Sequence, residues 1–235
     1  DLNTTGALAG TTVVAIAAGE NHSLALCSDG TVVAWGYNSD GQLGNSSTAD
    51  SSVPVAVNTT GVLAGKTVVA IAAGEIHSLA LCSDGTVVAW GANAFGELGN
   101  NSTTDSYVPV AVDTTGVLAG KTVVTLAGGD TFSQALCNDG FVAAWGYNAA
   151  NELGDNSTVN CSTPEAVNTT EGISALAGRS VSFIATGCNA NHNVILASPI
   201  SIASLSTPPA GSVSAGTVLS FTLNLSAATT VNTAG

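Results

Sequence analysis

Residues 13–57 read VVAIAAGENHSLALCSDGTVVAWGYNSDGQLGNSSTADSSVPVAV, and this stretch decides the fold. Val13–Ala18 is an apolar run of strand length. His22–Cys27 is a second, with Leu24 and Leu26 on one face and Ser23, Ala25 and Cys27 on the other, the period-2 pattern of a strand. Ser28-Asp29-Gly30 is a hairpin turn, because Asp-Gly tolerates the positive φ angles of tight connections. Thr31–Trp35 is a third strand. A Gly/Asn-rich loop then leads to a fourth at Val53–Val57, where Pro54 suits an edge position. Four short antiparallel strands with turn signals between them make one β-propeller blade.

Working outward, the stretch recurs. Trp35, Trp90 and Trp145 stand 55 residues apart, as do Cys27, Cys82 and Cys137, and Val57, Val112 and Val167. A fixed period of this length marks repeated supersecondary units. The reading is therefore all-β: a propeller-like array with blade repeats at 1–57, 58–112 and 113–167. A degenerate fourth blade at 168–198 and a linker with a β-strand tail at 199–235 complete it. Small residues such as Ala15, Ala17, Ala18 and Gly19 suit close packing near a propeller axis. Each Trp is expected as an apolar anchor between blades.

The phrases AAGENHSLALCSDGTVVAWGYNSDGQLG (17–44) and AAGEIHSLALCSDGTVVAWGANAFGELG (72–99) resemble the regulator-of-chromosome-condensation repeat. That family pattern has a Gly-x-x-His-Ser-Leu-Ala-Leu strand, an Asp-Gly turn, a Trp-Gly-x-Asn corner and a Gly-x-Leu-Gly end. The third repeat departs at Phe132 and Gln134, which replace His and Leu. The fourth, around 173–198, lacks the Trp-Gly corner. The resemblance implies a propeller that usually closes with seven blades and holds protein partners on its faces. With three good blades here, the array is a fragment of a longer one, a small closed ring, or one part of a multichain assembly.

Composition narrows function. Three Lys+Arg stand against 16 Asp+Glu, a net charge of -13. Nucleic-acid binding needs cations to neutralise phosphates, so no nucleic-acid partner is expected, and an exchange factor that docks on chromatin is disfavoured. No run of 18 apolar residues exists to span a membrane as a helix. The chain begins at Asp1 without Met, as a processed protein or a piece of a longer one. Scarce Lys, abundant Ser, Thr and Asn, and many Asn-x-Ser/Thr triplets read as extracellular or cell-surface, in the manner of bacterial or archaeal surface proteins.

Candidate chemistry is sparse. His22 and His77 share a blade position and His192 lies elsewhere, so no metal constellation forms. Their expected role is a hydrogen bond at a strand start. Glu20, Glu75 and Asp130 repeat at one position and should form an acidic arc on one face. No Gly-x-Ser-x-Gly, Cys/His pair or phosphate-cradling loop is present, so no enzyme and no cofactor are expected. Blade-equivalent cysteines should be too far apart to bond, given the roughly 7 Å limit on Cα separation; buried free thiols are the expectation. Cys161 and Cys188 break the pattern and could form a disulfide between blades three and four.

In the tail, Thr217–Ser226 alternates, with Leu219, Phe221, Leu223 and Leu225 on one face. This strand has no evident partner beyond 199–205, and the adjacent prolines at 208 and 209 favour extension. The expectation is a chain-joining strand donated head-to-tail to a neighbour, giving a structural or adhesive filament. The alternative is a binding module that presents one propeller face to a protein partner.

Overall fold

A computed structural model describes residues 6–170, 174, 176–187, 190, 192 and 194–198, and the backbone of 202–204 and 224–225. Each clear period forms one four-stranded antiparallel sheet. The first comprises β1 (Val13–Ala18), β2 (His22–Cys27), β3 (Val32–Gly36) and β4 (Ser51–Ala56), paired in sequence order. The second comprises β5 (Val68–Ala73), β6 (His77–Cys82), β7 (Val87–Gly91) and β8 (Ser106–Ala111). The third comprises β9 (Val123–Gly128), β10 (Phe132–Cys137), β11 (Val142–Gly146) and β12 (Cys161–Ala166). Helix among the described residues amounts to two 3-10 turns, Gly6–Leu8 and Gly61–Leu63. None is long and apolar enough to cross a membrane.

The Asp-Gly turns close the β2–β3 hairpins and their equivalents. The Gly30 N–H donates to the Cys27 carbonyl at 2.9 Å, and the Cys27 N–H to Thr31 at 2.8 Å. Only the glycine takes positive φ (85° at Gly30); Asp29 instead uses its Oδ1 to accept the Thr31 N–H at 2.9 Å. The turn chemistry therefore rests on a carboxylate cap plus one left-handed glycine, rather than on two left-handed residues.

Blades stack face to face. Leu24, Leu26, Val32 and Leu43 of blade one enclose Trp90, Ala80 and Val88 of blade two. Leu79, Leu81, Val87 and Leu98 of blade two do the same around Trp145, Ala135 and Ala143 of blade three. Small residues are required where inner strands meet: a Cβ on Gly128 would stand 2.4 Å from the Gly74 backbone nitrogen. Cys27, Cys82 and Cys137 are buried free thiols, and burial pushes the latter two pKa values up. Buried, raised thiols are poor nucleophiles.

The fourth unit is short. Among the described residues it supplies β13 (Val181–Ala185) and β14 (Val194–Ala197), a two-stranded sheet. It packs Val181 and Ile184 on Phe132, Val142 and Leu153 of blade three. In the tail, β15 (Ile202–Ser204) pairs antiparallel with β16 (Asn224–Leu225), Ile202 facing Leu225 in register. The two described residues of the tail strand thus pair with Ile202–Ser204 of the same chain. Leu219, Phe221 and Leu223 lie outside the described residues, as does Cys188. Cys161 is half-buried with its Sγ 3.5 Å from the Val159 carbonyl.

Candidate binding face

Strand pairing fixes what each end of the array displays. Ala18 pairs with Ser23, His22 with Gly36, and Gly36 with Ser51, so the 19–21 turn and the 37–50 loop emerge at one end. The Asp-Gly turns and the interblade connections emerge at the other. The same holds for blades two and three. The first end is termed the loop face.

Each long loop is built around one buried asparagine. Asn38 is fully buried. Its Oδ1 accepts the Leu43 N–H at 2.9 Å, and its Nδ2 donates to the Ser47 and Ala49 carbonyls, both at 2.9 Å. Its own N–H donates to Asp50 Oδ1 at 2.8 Å. Asn93 and Asn148 make the same set, with Asp105 and Asn160 in place of Asp50. A single amide thus satisfies the loop backbone, as burial of these polar groups demands.

A second recurrent device locks loop to blade. The Gln42 carbonyl accepts from Trp90 Nε1 at 2.9 Å and from Ser78 Oγ at 2.9 Å. The Glu97 carbonyl accepts from Trp145 Nε1 and Ser133 Oγ, both at 2.8 Å. Gly44 lies flat on the Trp90 indole, where a Cβ would meet Nε1 at 2.7 Å, and its φ of 64° also requires glycine. The corresponding serines take a second bond from the preceding blade: His22 Nε2 lies 2.9 Å from Ser78 Oγ, and His77 Nε2 lies 2.9 Å from Ser133 Oγ. The histidines are thus structural, buried at strand starts. Desolvation lowers His22 to about 4 and His77 to about 3, so both are neutral at pH 7.

The acidic residues at the shared turn position form a ladder. The Glu20 N–H donates to the Glu75 carbonyl at 3.1 Å, and the Glu75 N–H to the Gly129 and Asp130 carbonyls at 3.2 and 3.3 Å. These main-chain bonds hold successive carboxylates side by side. A hydrogen bond with the Asp130 carboxyl, partial burial and the charges of Asp130 and Glu20 push Glu75 up to about 7. No group of three or more His, Cys, Asp or Glu among the described residues is arranged to hold a metal ion.

The loop asparagines, the buried Gln42/Glu97/Glu152 position and the serine relay were not singled out from sequence. The available signal was their 55-residue recurrence, since Asn38, Asn93 and Asn148 repeat as faithfully as the tryptophans.

Charges segregate between the two ends. Lys66, Lys121 and Arg179 all precede the first strand of a unit, at the end opposite the loop face. There Lys66 pairs with Asp84, and Lys121 with Asp139 at 2.8 Å. Among the described residues the loop face carries carboxylates and no Lys or Arg. It also displays aromatic rings: Tyr37 is 42% exposed and Phe95 37%. Phe95 meets Tyr147 edge to face, with centroids 4.9 Å apart.

Known proteins resemble this chain in sequence and fold. Two sequence profiles described as regulator of chromosome condensation (RCC1) repeat match, one over 13–42 and 68–97, the other over 29–81 and 84–136. The ultraviolet-B receptor UVR8 of Arabidopsis thaliana is 33% identical over 162 residues, covering 68% of this chain and 36% of the receptor. Human HERC2, an E3 ubiquitin-protein ligase, is 33% identical over 162 residues, covering 68% of this chain and 3% of the ligase. The chain therefore spans only part of these relatives. The crystal structure of human WBSCR16 superposes with a TM-score of 0.68 at 30% identity, over 80% of this chain and 46% of that one. Prp20p of Saccharomyces cerevisiae gives 0.63 at 23% identity, over 74% and 42%, a likeness of fold. With two profiles that together match residues 13–81 and 84–136, this chain belongs to the RCC1 repeat family.

Proposed function

We propose that this chain is a non-enzymatic protein-binding segment of a propeller, and that its partner meets the loop face. The observation carrying this is a constant loop skeleton with variable display. The Asn38, Asn93 and Asn148 networks superimpose bond for bond. Yet the surface position held by a half-buried Asp40 in one loop is an exposed Phe95 in the next and an exposed Ala150 in the third. Rigid scaffolds that vary only exposed loop residues are suited to recognition. Solved relatives are described as binding Gsp1p and histones, and as bound to Kap60, which supports a protein partner by analogy of fold. We place the protein outside the cell, on the support of its Lys-poor, Ser/Thr/Asn-rich composition.

The test is selection of binders from a displayed random-peptide library against the whole chain, mapped with Tyr37→Ala and Phe95→Ala against Lys66→Ala at the opposite end. Enriched binders that depend on the loop-face residues support the reading. Binders that map elsewhere, or depend equally on Lys66, refute it.

A second reading, self-association, has one observation in its favour. Ile16 is 74% exposed where Ile71 is half-buried and Leu126 buried, and Trp35 is half-buried where Trp90 and Trp145 are fully buried. Light scattering on the purified chain tests it: a monomer across the accessible concentration range removes it.

A further inference from the structure

We infer that the segment recognised by the loop face is an extended polypeptide bearing Lys or Arg side chains. This rests on the reading of that face as the binding face and specifies its partner chemistry. Three independent features converge. The first is charge segregation: Lys66, Lys121 and Arg179 sit at the opposite end, two of them in ion pairs, and among the described residues Glu20, Glu75 and Asp130 make no ion pair with Lys or Arg. The second is enforced crowding. The main-chain ladder holds the Glu20, Glu75 and Asp130 backbones on adjacent turns, and their carboxyls stay near enough for Asp130 and Glu20 to act on Glu75. A cation placed along that ladder relieves their repulsion, and an anion worsens it. Beneath it the buried His22 and His77 imidazoles offer no positive charge, being neutral, and their Nδ1 atoms carry no hydrogen-bond partner among the described residues.

The third feature is aromatic. Tyr37 and the Phe95–Tyr147 pair present ring faces and edges at the outer rim of the same end. A guanidinium or ammonium group gains from stacking on such rings as well as from nearby carboxylates. The chain already uses the pairing elsewhere, where Lys121 Nζ lies 4.2 Å above the Phe141 ring centroid. Carboxylates toward the axis and rings toward the rim describe a strip that runs across blades, which fits an extended segment better than a single ion.

The experiment measures fluorescence anisotropy of a labelled peptide of alternating Arg and Gly, and of its Glu counterpart, against the whole chain. The Arg peptide is expected to bind and the Glu peptide not. Neutralising the ladder (Glu20→Gln, Glu75→Gln and Asp130→Asn together) should weaken binding by about tenfold, the scale of three partly screened charge pairs. Phe95→Ala should weaken it by about threefold, as loss of one exposed cation–π contact does. The decisive control removes the same charge elsewhere, with Asp29→Asn, Asp113→Asn and Glu165→Gln together. All these side chains are at least partly exposed, and circular dichroism confirms that each variant folds. If the control triple weakens binding as much as the ladder triple, the attraction comes from net charge and the inference is overturned. Equal binding of the Glu peptide overturns it as well. Library binders that map to the loop face but are not basic overturn the inference while leaving the face a binding site; binders that avoid the face remove both.

Discussion

Replacing Trp90 by Ala tests whether the blades are held by what they place between them. The indole is fully buried, wedged among Leu24, Leu43 and Val88, with Gly44 against its five-membered ring. Truncating a fully buried aromatic to Ala costs about 3–5 kcal/mol, the transfer and cavity terms together. The lost hydrogen bond to the Gln42 carbonyl adds little, because Ser78 Oγ still donates to that oxygen and leaves it satisfied. The chain contains its own control. Trp35 has the same sequence context and strand position but is only half-buried, with no preceding blade against it among the described residues. Trp35→Ala should therefore cost less than half as much as Trp90→Ala or Trp145→Ala, about 1–2 kcal/mol by area. Urea denaturation followed by far-ultraviolet circular dichroism gives the three values. Equal m-values are needed for the comparison, since repeat arrays can lose cooperativity. If Trp35→Ala is as damaging as Trp90→Ala, the anchors act within a blade rather than between blades, and the packing argument fails.

Gln134 is fully buried where blades one and two carry Leu24 and Leu79, and neither amide atom has a hydrogen-bond partner among the described residues. Gln134→Leu should raise stability by about 1–3 kcal/mol, read as an increased midpoint in urea; a loss would show that the amide is satisfied. His22 and His77 have folded pKa values of about 4 and 3, below the ordinary 6.5. Their contribution is complete above pH 6.5 and is lost as pH falls from there through about 4 for His22 and about 3 for His77. His77→Phe, which copies Phe132, should flatten a melting-temperature profile over that window, and an unchanged profile would count against a neutral buried imidazole. Glu75 has the opposite sign: raised to about 7, its contribution is full below pH 4.5 and lost as pH rises through 7. Glu75→Gln should flatten the profile between those values, and a wild-type slope retained in the variant would show that the ladder carboxylates do not interact.

The sequence by itself determined the blade. Alternation in His22–Cys27, the Asp29-Gly30 turn and the 55-residue recurrence of Trp35 specify strand content, strand order and repeat number, because these are local and periodic properties. It also placed Glu20, Glu75 and Asp130 at one turn, since a repeated position in a repeated fold lies at one end. Tertiary structure alone decided what those positions touch. Trp90 and Trp35 are identical in sequence context, but among the described residues only Trp90 has a preceding blade, whose Gln42 carbonyl accepts its N–H. Asn38 lies in a stretch that reads as an ordinary polar loop, and its burial follows from the backbone closing around it. The tail strand illustrates the limit most directly. Its apolar alternation calls for a partner without naming one, because strand pairing energy is set by backbone groups that every segment carries; only the folded chain shows Asn224–Leu225 pairing with Ile202–Ser204.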